Sequence, residues 1–184
     1  MALVQFVLKL LFANGVRFFR FFPNNDPILG IVLPSAKKNL LASILFAVLC
    51  MVSFDVITSR VGVWTIVTSV SYAFVVLVLG LAFSKIKRVS LKHYFFASIV
   101  GVLIFDVITG PLMSTFMFKQ SLVVTLLGQI PFTLYHLASA SSYSLFFAFV
   151  LDKDVRSSVL KGLNKNFVFI PLRQFLLGVS RRFL

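Results

Sequence analysis

The stretch NLLASILFAVLCMVSFDVIT, residues 39–58, decides the fold. It carries one charged residue, Asp55. As a helix rising ~1.5 Å per residue it is about 30 Å long, the thickness of a bilayer's hydrocarbon core. Its last five residues, Phe54-Asp55-Val56-Ile57-Thr58, recur as Phe105-Asp106-Val107-Ile108-Thr109 near the end of another apolar run. The chain has only 5 acidic residues, and all are aspartates. Two of them thus occupy matching places in lipid-soluble stretches, which points to a duplicated membrane unit with a paired polar site.

Outward from this stretch the pattern continues. Residues 63–83 form a second span, with Trp64 placed as an interfacial anchor. Residues 93–117 form a third, broken by Gly110-Pro111. Residues 121–150 form a fourth, interrupted by Gly128-Gln129-Ile130-Pro131, and read as one kinked helix or two shorter ones. Residues 28–36 are too few to cross a bilayer and read as a half-helix, or as a tilted span joined to the turn before them. Asp26 is a cap for that segment, with Pro27 at its first position. Residues 3–22 and 167–184 mix Phe and Leu with Lys and Arg, as amphipathic interfacial helices do. The expected organisation is an N-terminal interfacial helix (1–22), a transmembrane bundle (23–154) and a basic amphipathic tail (155–184). The fold class is an all-α, polytopic integral membrane bundle of four to six transmembrane helices.

Composition agrees. The 184 residues are 59% hydrophobic and 12% charged, with a mean hydropathy of +1.01. A soluble domain needs more polar surface. The net charge of +13 comes from residues that flank apolar runs, so it suits anionic lipid headgroups rather than nucleic acid. With four crossings, every Lys and Arg except Arg60 and Lys119 falls on one side. The positive-inside rule makes that side cytoplasmic, with both termini on it, in a multi-pass cell-membrane protein. The N-terminus lacks the cleavage pattern of a signal peptide and reads as retained. Cys50 is the lone cysteine, a small core residue.

The two Phe-Asp-Val-Ile-Thr copies run in the same direction, as parallel repeats do. Asp55 lies ~22 Å along its helix and Asp106 ~21 Å along its own, so both carboxylates are expected at one depth near the outer face. Each precedes a Thr by one helical turn. Two readings stand: the aspartates contact a ligand, or they cap and pair within the bundle. Gln129, Thr133 and His136 form a second polar island on roughly one helix face, serving either a substrate or the kink at Pro131. Trp64 and Tyr135 either stack on a ring-shaped ligand or anchor the interface. The candidate substrate-binding set is Asp55, Asp106, Gln129, His136, Trp64 and Tyr135. The run Ala138-Ser139-Ala140-Ser141-Ser142 lets helices approach closely. No metal or cofactor is expected, since His136 has no companion His or Cys at ligand spacing. No catalytic motif is present, so an enzyme is not expected.

Residues 21–154 resemble the substrate-binding (S) components of energy-coupling factor transporters. The resemblance is carried by Phe22-Pro23-Asn24-Asn25-Asp26-Pro27, by both Phe-Asp-Val-Ile-Thr copies, by Gly110-Pro111, and by the residues from Gly128 to His136. It implies a compact bundle, usually of six helices, that binds a vitamin or similar small molecule near the outer face. It also implies an energy-coupling membrane subunit with ATPases as a partner. The expected function is solute binding for uptake. The alternative is a non-transporting membrane scaffold that recruits partner proteins.

Overall fold

The computed structural model describes residues 2–19 and 24–165. The expected second interfacial helix at 167–184 lies outside the described residues. Among these residues every regular element is helical: α1 (Ala2–Phe19), α2 (Ile28–Ala36), α3 (Leu40–Ile57), α4 (Val63–Ser84), α5 (Leu91–Val107), a π-helical turn (Ile108–Leu112), α6 (Met113–Phe118), α7 (Leu122–Leu151) and α8 (Lys153–Lys165). Among the described residues four stretches are long and apolar enough to cross a membrane: α3, α4, the run from Leu91 to Phe118, and α7. The fourth expected span is thus one helix, continuous through Pro131.

α2 is the hub. All of its residues but Ser35 are buried, and it packs against α3, α4, α5 and α7. An all-apolar face is stable only when neighbours surround it. At about 13 Å, α2 covers less than half of a ~30 Å hydrocarbon core. Its crossing with α7 is at backbone distance: a Cβ on Gly30 would lie 2.7 Å from the Tyr143 carbonyl carbon and oxygen. Across the α5–α7 seam, Ser98 Oγ donates to Ser141 Oγ (3.1 Å) and Ser144 Oγ donates to the Tyr94 carbonyl (3.1 Å). The small-residue run of α7 therefore packs the bundle internally over part of its face, while Ser142 points outward and bonds its own helix at Ala138.

One end of the bundle is basic. There the Lys37 ammonium donates to the Ile86 and Lys87 carbonyls of the α4–α5 loop (2.9 and 3.2 Å). α1 runs along α3 in the same direction rather than across its end. Phe6 meets Phe46 edge-on at 5.2 Å, Asn14 Nδ2 donates to Ser53 Oγ (2.9 Å), and Arg17 donates to the Cys50 carbonyl (3.3 Å). This corrects the grouping of Arg17 with Lys37 and Lys38. Arg17 lies toward the opposite end, its guanidinium 4.2 Å from the Phe54 ring centre.

The two sequence repeats start alike and end differently. Thr58 and Thr109 each donate their hydroxyl to the carbonyl four residues back, Phe54 and Phe105, at 2.9 Å. After the first copy, Ser59 adopts a left-handed conformation (φ 55°), and the Arg60 N–H closes on the Asp55 carbonyl at 2.8 Å. Together with the Ser59 N–H on the Val56 carbonyl, this is a Schellman stop. In the second copy the residue matching Arg60 is Pro111, which has no N–H. That stop cannot form, and the chain continues through a π-helical turn into α6.

Candidate functional site

At the end away from the Lys37 contacts, a cavity of about 780 Å³ opens between α1, the turn at 24–27, α3, α4, α5 and α7. The first residue of each repeat, Phe54 and Phe105, contributes to its wall, as do Arg17, Asp26, Trp64, Thr68, Tyr72, Gln129 and His136. Duplicated motifs thus converge on one site, but through their phenylalanines. A Cβ on Gly110 would collide with the Gln129 side chain, so this glycine makes room for the amide that faces the cavity.

His136 is the centre of the polar wall. It is buried on α7, with Nδ1 2.7 Å from Asp106 Oδ1 and Nε2 3.2 Å from Asp26 Oδ2. Ionised carboxylates only accept hydrogen bonds. Two ring-nitrogen contacts therefore require two protons. A neutral imidazole supplies one, and the second makes either an imidazolium or a carboxylic acid.

Asp26 reaches this position because the short α2 turns the chain back inside the bundle. The Asp26 N–H donates to Ser139 Oγ (3.0 Å), and its Oδ1 accepts from the Ile28 N–H (2.9 Å). Neighbouring residues fix the turn: Asn25 Nδ2 donates to the Val16 carbonyl (3.1 Å) and Asn24 Nδ2 to the Phe132 carbonyl (3.2 Å). Non-helical backbone is tolerated at such depth only where protein or a cavity surrounds it. Burial by itself would raise the Asp26 carboxyl. The hydrogen bond and charge of a protonated His136, the Arg17 charge and the Ile28 N–H outweigh it and hold its pKa below the ordinary value.

Of the sequence-predicted site residues, Gln129, His136 and Trp64 line the cavity. Asp106 stands behind His136 and is not part of the lining. Asp55 takes a separate partner. Its Oδ2 accepts from Thr65 Oγ1 at 2.6 Å, and the same hydroxyl accepts from the Gly62 N–H at 3.1 Å, stapling the α3–α4 turn. Tyr135 is more than half exposed on the outside of α7. Asp26, Arg17 and Tyr72 are among the cavity residues that sequence reading did not assign to the site. The signal for Asp26 was its scarcity, one of 5 acids and set between two prolines. Nothing in the sequence placed it beside His136.

Two buried polar atoms here have no hydrogen-bond partner among the described residues: the Tyr72 hydroxyl and Asp106 Oδ2. Tyr72 is 1% exposed, lines the cavity and lies 4.3 Å, ring centre to ring centre, from Phe105. Buried hydroxyls nearly always have partners, so an unpaired one in a cavity wall is a donor that water or a bound polar group would satisfy. No group of three or more His, Cys, Asp or Glu side chains suited to a metal occurs among the described residues. No protein-family model, curated protein or solved structure matches this chain.

Proposed function

We propose that this protein binds a small solute within the membrane and serves its uptake, in the manner of an S component working with an energy-coupling membrane subunit and its ATPases. The observation that carries this reading is the cavity of about 780 Å³ walled by aromatic rings together with Arg17, Gln129, Tyr72 and the Asp26–His136 pair. Its volume suits a ligand of vitamin or drug size. The mixture of rings with a few convergent polar groups suits a molecule with a flat apolar part and hydrogen-bonding edges. The cavity lies away from the basic end, so the positive-inside rule directs it outward. The Asp55–Thr65 staple is the kind of internal bond a scaffold would also use, but a scaffold has no need of the cavity.

Native mass spectrometry of protein extracted in mild detergent tests the proposal. A retained small molecule that is lost in Tyr72→Phe and Gln129→Ala supports it. Protein that carries no small molecule, and whose melting temperature no member of a vitamin and nucleobase panel raises, favours the scaffold.

A further inference from the structure

We infer that a second groove, between α1, α2 and α7, is a binding site for an anionic phospholipid, with its headgroup phosphate on Lys9 and Lys38. The groove encloses about 630 Å³ and shares no lining residue with the solute cavity. Most of its wall surface is apolar, with Gln5, Ser35 and Asn39 the uncharged polar residues in it. Ile31 and Phe147 are buried at its base, and Leu8 and Phe12 are exposed along its side. Phe12 meets Phe147 edge-on at 5.6 Å, so the apolar surface is continuous from α1 to α7. Lys9 and Lys38 close the end nearest the α2–α3 connection.

These two lysines differ from Lys37 beside them. Lys37 is held by two loop carbonyls, whereas neither Lys9 nor Lys38 is within salt-bridge distance of a carboxylate among the described residues. Partial burial and then the Lys38 charge hold the Lys9 pKa below the ordinary lysine value. Two ammonium groups at the mouth of an apolar furrow want an anion that brings its own hydrocarbon, which is the chemistry of an anionic lipid. Free phosphate has no use for the furrow. A second copy of this chain, at +13, would add positive charge.

The test uses full-length protein in mild detergent with dioleoyl phosphatidylglycerol or dioleoyl phosphatidylcholine, counting bound lipids by native mass spectrometry. We expect phosphatidylglycerol to be retained preferentially. Its affinity should fall roughly fivefold for each of Lys9→Gln and Lys38→Gln. Phosphatidylcholine, whose phosphate is offset by its own ammonium, should lose less. The Lys9→Arg/Lys38→Arg variant should keep the preference, and Lys85→Gln/Lys92→Gln should leave it intact. Phe12→Trp, which fills the furrow without touching charge, should weaken both lipids. Equal retention of the two lipids overturns the inference, as does unchanged phosphatidylglycerol binding in the glutamine variants. Displacement by inorganic phosphate would reassign the site to a free anion. A dimer lost with Lys9→Gln would reassign it to a second copy.

Discussion

Asp106 and His136 are 30 residues apart in the chain and meet at 2.7 Å between α5 and α7. Asp26, 110 residues from His136, takes the other ring nitrogen at 3.2 Å. Two helices and the turn that leads into α2 are thereby fastened at one point. Removing one partner of a buried charged pair leaves the other uncompensated, at a cost of about 3–5 kcal/mol. His136→Ala is therefore expected to destabilise the bundle by about that amount in detergent unfolding. Combined with Asp106→Asn it should cost at least about 1 kcal/mol less than the sum of the two single changes. Strict additivity would show that the two side chains do not act together.

The triad also predicts an acid limb. The Asp26 carboxyl is held below its ordinary value in the folded state. A group depressed in this way contributes stability that is fully present above its unfolded pKa of about 4 and is lost as pH falls through the folded value. Melting temperature should thus drop as pH is lowered below about 4, and Asp26→Asn should flatten that drop while lowering stability near pH 7. An unchanged acid limb in the variant would assign the loss to other groups.

Binding and stability should separate between two residues. Asp55→Ala and Thr65→Val break the α3–α4 staple, at about 1.5–3 kcal/mol for a hydrogen bond to a charged group. Neither should release the solute. Of the two roles the sequence left open for Asp55, the Thr65 contact is the internal one. Tyr72→Phe removes a hydroxyl with no partner among the described residues, so it should leave the stability within about 0.5 kcal/mol of wild type and weaken solute retention. The reverse pattern would return Asp55 to the site and remove Tyr72 from it.

Two glycines make a matched pair. Gly30→Ala forces a Cβ onto the Tyr143 backbone and should cost about 1–3 kcal/mol, as overpacking does. Gly15, inside α1, has open space around its would-be Cβ, and Gly15→Ala should gain up to about 1 kcal/mol from helix propensity. Thermal unfolding of the two variants side by side checks both signs.

The sequence by itself determined the apolar helices. Lipid-compatible composition and length are local properties, and the runs at 39–58, 63–83, 93–117 and 121–150 became α3, α4, the α5–α6 run and α7 within a few residues. The segment before Lys37 was legible as a half-helix or as part of a tilted span, and it forms a separate helix starting at Ile28, one residue after the expected first position at Pro27. The polar island on α7 was legible too, since Gln129 and His136 share a face seven residues apart. The partners were decided elsewhere. Identical pentapeptides put Asp55 against Thr65 and Asp106 against His136. Asp26, read as a helix cap, does take the Ile28 amide but spends its other oxygen on His136. Arg17 reaches the cavity because α1 lies along α3. Helix formation follows from backbone bonds four residues apart, which a sequence displays directly. Which faces of those helices meet depends on the packing of α2 at the centre, where Gly30 permits backbone contact, and only the tertiary structure sets that arrangement.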